Sequence, residues 1–73
     1  MKVDKRSDGR YFRMDTDEYQ EMSDLYEGCC IECGNSQEAC EPDARNYTCE
    51  ECGKDQVFGM GELLIMGRIV IED

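Results

Sequence analysis

Cys30-Ile31-Glu32-Cys33-Gly34 and Cys49-Glu50-Glu51-Cys52-Gly53 decide how the rest of this chain is read. Each is a Cys-x-x-Cys-Gly knuckle, and residues 34–48 separate them, a spacer of 15. That spacing lies within the range of four-thiolate zinc sites. Two residues between paired cysteines let one tight turn aim both sulfurs at a common point. Glycine after the second cysteine can take positive φ and turn backbone N–H groups toward the thiolates. Cys30, Cys33, Cys49 and Cys52 are therefore the expected ligands of one structural Zn²⁺. Cys29 could replace Cys30 at a spacing of three, but that breaks the match with the second knuckle. Cys40 belongs to no pair and reads as a small buried hydrophobe.

A chain of 73 residues makes one domain at most. At this size a hydrophobic core alone supplies only a few kcal/mol, roughly 3–5, and a staple is needed. A structural zinc, contributing roughly 10–16 kcal/mol of apparent binding free energy, is such a staple. The metal is thus expected to fold the protein rather than to react.

Three disulfides are the rival use of six cysteines. Met1 to Arg10 carries charge and no apolar run, unlike a secretory signal. No stretch approaches the ~18 apolar residues of a membrane span. The expectation is a cytoplasmic protein with reduced thiols on metal.

The net charge of −10 is unevenly spread. Residues 1–14 hold five bases and two acids, a balance of +3. Residues 15–55 hold thirteen acids and two bases, −11, and residues 56–73 hold three acids and one base, −2. Such a field disfavours nucleic-acid phosphate and membrane surfaces, and favours basic protein patches.

Residues 2–14 read as extended, with Ser7-Asp8-Gly9-Arg10 as a turn and Asp-Gly as its two-residue loop, or as a frayed tail before one strand. A helix is predicted over residues 16–27. Asp15 caps it with Glu18 as the capping-box partner, Tyr19, Met22, Leu25 and Tyr26 form its apolar face, and Gly28 ends it. Asp17, Glu21, Asp24 and Glu27 lie mainly on the other side, as plain solvated surface or as an acidic strip for a basic partner. Glu41-Pro42-Asp43-Ala44 is a type I turn candidate. Residues 45–48 and 55–58 are expected to pair as a hairpin carrying the second knuckle. Glu62 to Met66 fits one or two helical turns ended by Gly67, and residues 68–72 read as a strand.

The expected fold is a small metal-stapled α+β domain, a zinc ribbon preceded by one amphipathic helix. It divides into an arm or short strand over 1–14, the acidic helix over 15–28, and the ribbon with its aliphatic C-terminal segment over 29–73. No catalytic constellation is visible. Histidine is absent, four thiolates leave no open coordination position, and no Gly-rich phosphate loop occurs. An enzyme with a small-molecule substrate is therefore not expected. Glu32, Glu50 and Glu51 raise thiol pKa and disfavour a redox Cys-x-x-Cys. Rubredoxins share the two knuckles and make iron the rival metal, but their longer spacer and aromatic-rich core are missing here.

From Tyr26 to Gly67 the chain resembles small four-cysteine zinc-ribbon proteins frequent in phage and prophage genomes. The stretches that carry the likeness are residues 28–34, Glu41-Pro42-Asp43-Ala44-Arg45 with the second knuckle, and residues 57–67, ending in Glu-Leu-Leu-Ile-Met-Gly. The resemblance implies four-cysteine zinc and a viral or mobile-element setting, with no settled function to transfer. The leading expectation is a zinc-stabilised acidic module that binds a host or partner protein. The alternative is a nucleic-acid binder using the basic residues 2–13 of the N-terminal arm, with Tyr11 and Phe12 as stacking groups. A thiol redox or electron-transfer protein is the third reading.

Overall fold

A computed structural model describes residues 1–72; Asp73, the end of the expected C-terminal unit, lies outside the described residues. Strands β1 (Lys2–Arg6) and β2 (Gly9–Met14) form an antiparallel hairpin in which Arg6 pairs with Gly9. The N-terminal arm is thus a full hairpin. Its two-residue loop is Ser7-Asp8, one position earlier than the Asp-Gly reading. Gly9 takes the positive φ, +128°, as the first residue of β2. A side chain there would also approach the Ile31 carbonyl, to which Arg10 N–H donates at 2.7 Å.

Asp15 caps helix α1 (Thr16–Asp24), its Oδ1 accepting from Glu18 N–H at 2.7 Å, but the Glu18 carboxylate pairs with the Met1 ammonium and does not complete the expected capping box. The helix stops earlier than predicted. Tyr26 swings to φ 55°, Glu27 N–H reaches the Met22 carbonyl at 2.9 Å, and Tyr26 N–H reaches that of Ser23 at 3.2 Å. This is a Schellman ending with tyrosine where glycine is usual. Leu25 and Tyr26 consequently leave the apolar face and are more than half exposed, while Met22 is buried and Tyr19 packs against the core. Gly28, the expected stop, instead opens a strand.

That strand, β3 (Gly28–Cys30), is the centre of a second sheet. It pairs antiparallel with β4 (Ser36–Gln37) on one side and β5 (Val57–Gly59) on the other. The hairpin expected under the second cysteine pair is reduced to one bridge, Tyr47 with Val57, with both hydrogen bonds at 3.0 Å. Val57 lies between Cys30 and Tyr47, so β5 makes its main ladder with β3.

The Glu41–Ala44 turn forms, Ala44 N–H donating to the Glu41 carbonyl at 2.9 Å. It seats the next element: Gly59 N–H bonds the Ala44 carbonyl and Glu62 N–H bonds that of Pro42. Helix α2 (Met60–Ile65) follows, ending with Gly67 at φ +75°, close to the predicted turns. Strand β6 (Ile69–Ile71) then joins the first sheet parallel to β2, Phe12 opposite Ile69 and Met14 opposite Ile71. The sheet order is β1-β2-β6.

The main core gathers Phe12, Met14, Met22, Cys29, Ile31, Phe58, Met60, Leu63 and Ile69 between the sheets and both helices. A smaller cluster of Cys30, Cys40, Ala44, Cys49 and Val57 lies beneath the cysteine loops. Cys29 and Cys30 point to opposite faces of β3, as strand alternation requires, and so serve different clusters. Burial pushes the Cys29 thiol up to about 12, helped by the Glu27 carboxylate, and raises that of Cys40 as well. Both are neutral packing groups at ordinary pH.

Candidate metal centre

Two loops with the same hydrogen-bond pattern present the four cysteines. Cys30 N–H donates to the Asn35 carbonyl and Cys49 N–H to that of Lys54, both at 2.8 Å. One turn further in, Gly34 N–H bonds the Cys30 carbonyl at 2.9 Å and Gly53 N–H that of Cys49 at 3.0 Å. Gly34 and Gly53 make these turns at φ +85° and +78°. The first loop is held from outside by Val3, whose Cγ1 fills the space beside Gly34. The second is tied to the first by Gln37. Its Nε2 donates to the Thr48 carbonyl at 3.1 Å, and its Oε1 accepts from Glu50 N–H at 3.0 Å. Neither Val3 nor Gln37 carries a sequence signal for this role, since each acts across the fold.

Cys30, Cys33, Cys49 and Cys52 converge so that their sulfurs all lie within 4.8 Å of one another. Cys30 Sγ is 3.7 Å from Cys52 Sγ, and Cys33 Sγ is 3.6 Å from Cys49 Sγ. Metal–sulfur bonds of about 2.3 Å in a tetrahedron require sulfurs about 3.8 Å apart. The donor set therefore fits one tetrahedral metal ion, with small adjustment of the longer edges. All six cysteines are free thiols. Cys29 and Cys40 are fully buried outside the cluster, and Cys29 does not replace Cys30.

The electrostatics of the four sulfurs differ. Burial opposes the Cys49 thiolate, but N–H groups of Cys52 and Glu51 outweigh it and bring the thiol down to about 7, contrary to the expectation that the glutamates inside the knuckles raise their thiols. Those donors lie 3.4 and 3.3 Å from Cys49 Sγ. Burial raises Cys33 to about 12, and the neighbouring Cys49 thiol adds to the rise because one thiolate discourages the next. Cys30 is raised by burial too, against backbone N–H bonds from its own loop. Packing four sulfurs this closely leaves room for little negative charge without a cation among them.

The groups proposed for nucleic-acid contact are differently placed. Phe12 is fully buried in the main core and cannot stack on a base. Arg13 bonds Asp4 at 2.7 Å and Glu72 at 3.2 Å, and these pairings raise its pKa, Asp4 foremost. Arg10 Nε donates to the Glu32 carbonyl. Arg6 lies 4.1 Å over the Tyr11 ring and bonds the Gly67 carbonyl. Asp17, Glu21 and Asp24 are exposed on α1, whose last turn holds no base. Two clefts, about 450 and 440 Å³, adjoin at Glu27 and Ser36 beside β4. Among the described residues no helix is long and apolar enough to cross a membrane.

Comparisons with protein-family models, with curated proteins and with solved structures gave no match, which leaves the chain's own geometry to carry its functional reading.

Proposed function

We propose that this chain is a zinc-ribbon interaction module: one structural Zn²⁺ on Cys30, Cys33, Cys49 and Cys52 holds an acidic surface that docks a basic partner protein. The observation that carries it is the contrast between arginines bonded within the chain and carboxylates left exposed. Arg6, Arg10, Arg13, Arg45 and Arg68 are each bonded to carboxylates or carbonyls of the chain itself. The carboxylates of Asp17, Glu21 and Glu38 stand exposed, within a net charge of −10. A surface of that kind attracts basic proteins and repels nucleic-acid phosphate. Four thiolates suit zinc and close its coordination shell, leaving no position for a substrate. The likeness in Glu41–Arg45 and Glu62–Gly67 supports an accessory role in a phage or mobile element, acting in the host cytoplasm.

The test is a salt titration of the metal-loaded protein against polylysine and against duplex DNA. Polylysine should bind, and reversing Asp17, Glu21 and Asp24 to Lys should slow its capture at low salt. Tight duplex binding at about 0.15 M salt, lost in Arg10→Glu with Arg13→Glu, would establish the nucleic-acid reading instead. Metal analysis separates zinc from iron, since an iron-loaded protein is red.

A further inference from the structure

The antiparallel ladder between β3 and β4 leaves one strand edge unused. Gly28 pairs with Gln37 and Cys29 with Ser36, while Cys30 N–H bonds the Asn35 carbonyl. In an antiparallel pair, hydrogen-bonded and non-hydrogen-bonded positions alternate. Ser36 occupies the non-bonded position, so its own N–H and C=O point away from β3, and β4 is the outer strand of its sheet. Ser36 is exposed and lines both clefts described above. The open edge thus runs along the floor of a continuous trough.

We propose that this β4 edge is where the partner docks, by adding a basic extended segment as a fourth strand. The proposal rests on the interaction-module reading and specifies its site. Charge complementarity selects the occupant. Asp17, Glu18, Glu21 and Glu27 line one cleft, Glu27, Glu38 and Glu50 the other, and among the described residues no Lys or Arg lines either. Among the described residues the cation lining the trough is the Met1 ammonium, 2.9 Å from Glu18. Strand addition takes its affinity from main-chain hydrogen bonds and its specificity from alternate side chains. Here the alternate side chains that fit are lysine or arginine. The outer strand of the other sheet, β1, carries Lys2, Lys5 and Arg6, the kind of charge that keeps an edge from pairing. At β4 the carboxylates exclude neutral and acidic strands and admit a basic one.

The experiment uses the metal-loaded full chain and a short peptide of alternating lysine and valine. Its controls are the same peptide N-methylated along its backbone, and an alternating glutamate–valine peptide. On peptide addition the Ser36 amide should become protected from hydrogen exchange. Glu38→Lys with Glu50→Lys should weaken binding about tenfold, the scale of two reversed charges at an interface rim. Asp24→Lys, outside both clefts, should change it little, and the N-methylated and glutamate peptides should bind poorly. Circular dichroism and metal content confirm that each variant is folded. Equal binding of the N-methylated peptide, or an unprotected Ser36 amide, would overturn strand addition. Loss in Asp24→Lys but not in the Glu38 and Glu50 pair would overturn this site while leaving the module reading intact. Failure of every basic peptide alongside tight duplex binding would end both. Self-association abolished by Lys2→Glu with Lys5→Glu would identify a second copy of the chain as occupant, and would also overturn the proposal.

Discussion

Arg68 Nη2 donates to the Asp8 carbonyl at 2.8 Å, joining the loop of the N-terminal hairpin to the residue just before the closing strand. Arg68 Nη1 also reaches the Arg10 carbonyl at 3.3 Å and Asp8 Oδ1 at 3.2 Å. Arg68 is buried, but the Asp8 side chain is 70% exposed, so water screens the ion pair and the carbonyl bonds dominate. Arg68→Met should therefore cost about 2–3 kcal/mol by stranding carbonyls without donors. Asp8→Asn keeps those carbonyls and should cost less than about 1 kcal/mol. Urea denaturation midpoints compare the two, and equal losses would refute the assignment.

Cys49→Ser should abolish metal binding and unfold the second loop. Cys40→Ser should keep about one metal per chain, since a hydroxyl there retains the Glu38 carbonyl as acceptor. Metal content of the purified variants decides. Retention by Cys49→Ser with loss from Cys40→Ser would contradict the ligand set.

Metal affinity should fall as pH falls. The ion needs thiolates, and in the metal-free site Cys33 holds its proton up to about 12 while Cys49 loses its own near 7. Loading therefore expels protons at neutral pH, and acid drives the reaction backward. Because the ion binds the folded chain, stability of the loaded protein is present at neutral pH and lost on acidification. A zinc competition assay between about pH 5 and 8 should show affinity rising steeply with pH. A flat profile would mean that thiols are not the ligands.

Tyr26→Gly should stabilise the protein. Tyr26 adopts a left-handed conformation that costs a non-glycine residue roughly 1–2 kcal/mol, and its side chain is 55% exposed. Glycine in this position should gain about 0.5–1 kcal/mol after the lost contact is counted. Met22→Ala, in the buried core, should cost about 2–3 kcal/mol. A thermal melt of each variant reads the opposite signs.

Gly28→Ala and Gly53→Ala should differ sharply. A Cβ at Gly28 would sit 2.7 Å from the Phe58 carbonyl oxygen and 2.8 Å from the Cys40 side chain, wedged between β5 and the buried Cys40. About 3 kcal/mol or more should be lost. At Gly53 nothing lies within 4 Å, so only the positive φ is strained, at about 1 kcal/mol. Circular dichroism of the two metal-loaded variants makes the comparison.

The parts of this structure legible in the sequence are those written in short-range chemistry. The Asp15 cap, the Glu41–Ala44 turn, the end of α2 at Gly67 and the convergence of the cysteine pairs each depend on a few adjacent residues. What periodicity missed was fixed by distant bonds. The apolar face of α1 was extended through Leu25 and Tyr26, whereas the Tyr26 carbonyl is turned to accept Cys40 N–H at 2.8 Å. Likewise residues 55–58 read as partner to residues 45–48, whereas Val57 to Gly59 make their ladder with β3, where Gly28 packs closely against Cys40 and Phe58. Phe12 reads as available for stacking because its partners, Arg68 and Ile69, lie more than fifty residues away.

The parallel pairing of β2 with β6 sets an order of assembly. Closing the two cysteine loops requires chain segments no longer than residues 30–52, whereas Phe12 meets Ile69 only across the whole stretch between them. Loop-closure entropy grows with the length enclosed, and non-local strand pairing is slow for that reason. All four ligand cysteines leave the ribosome before β6 does. The metal can therefore gather the middle of the chain first, and the first sheet is completed last, around a centre already formed.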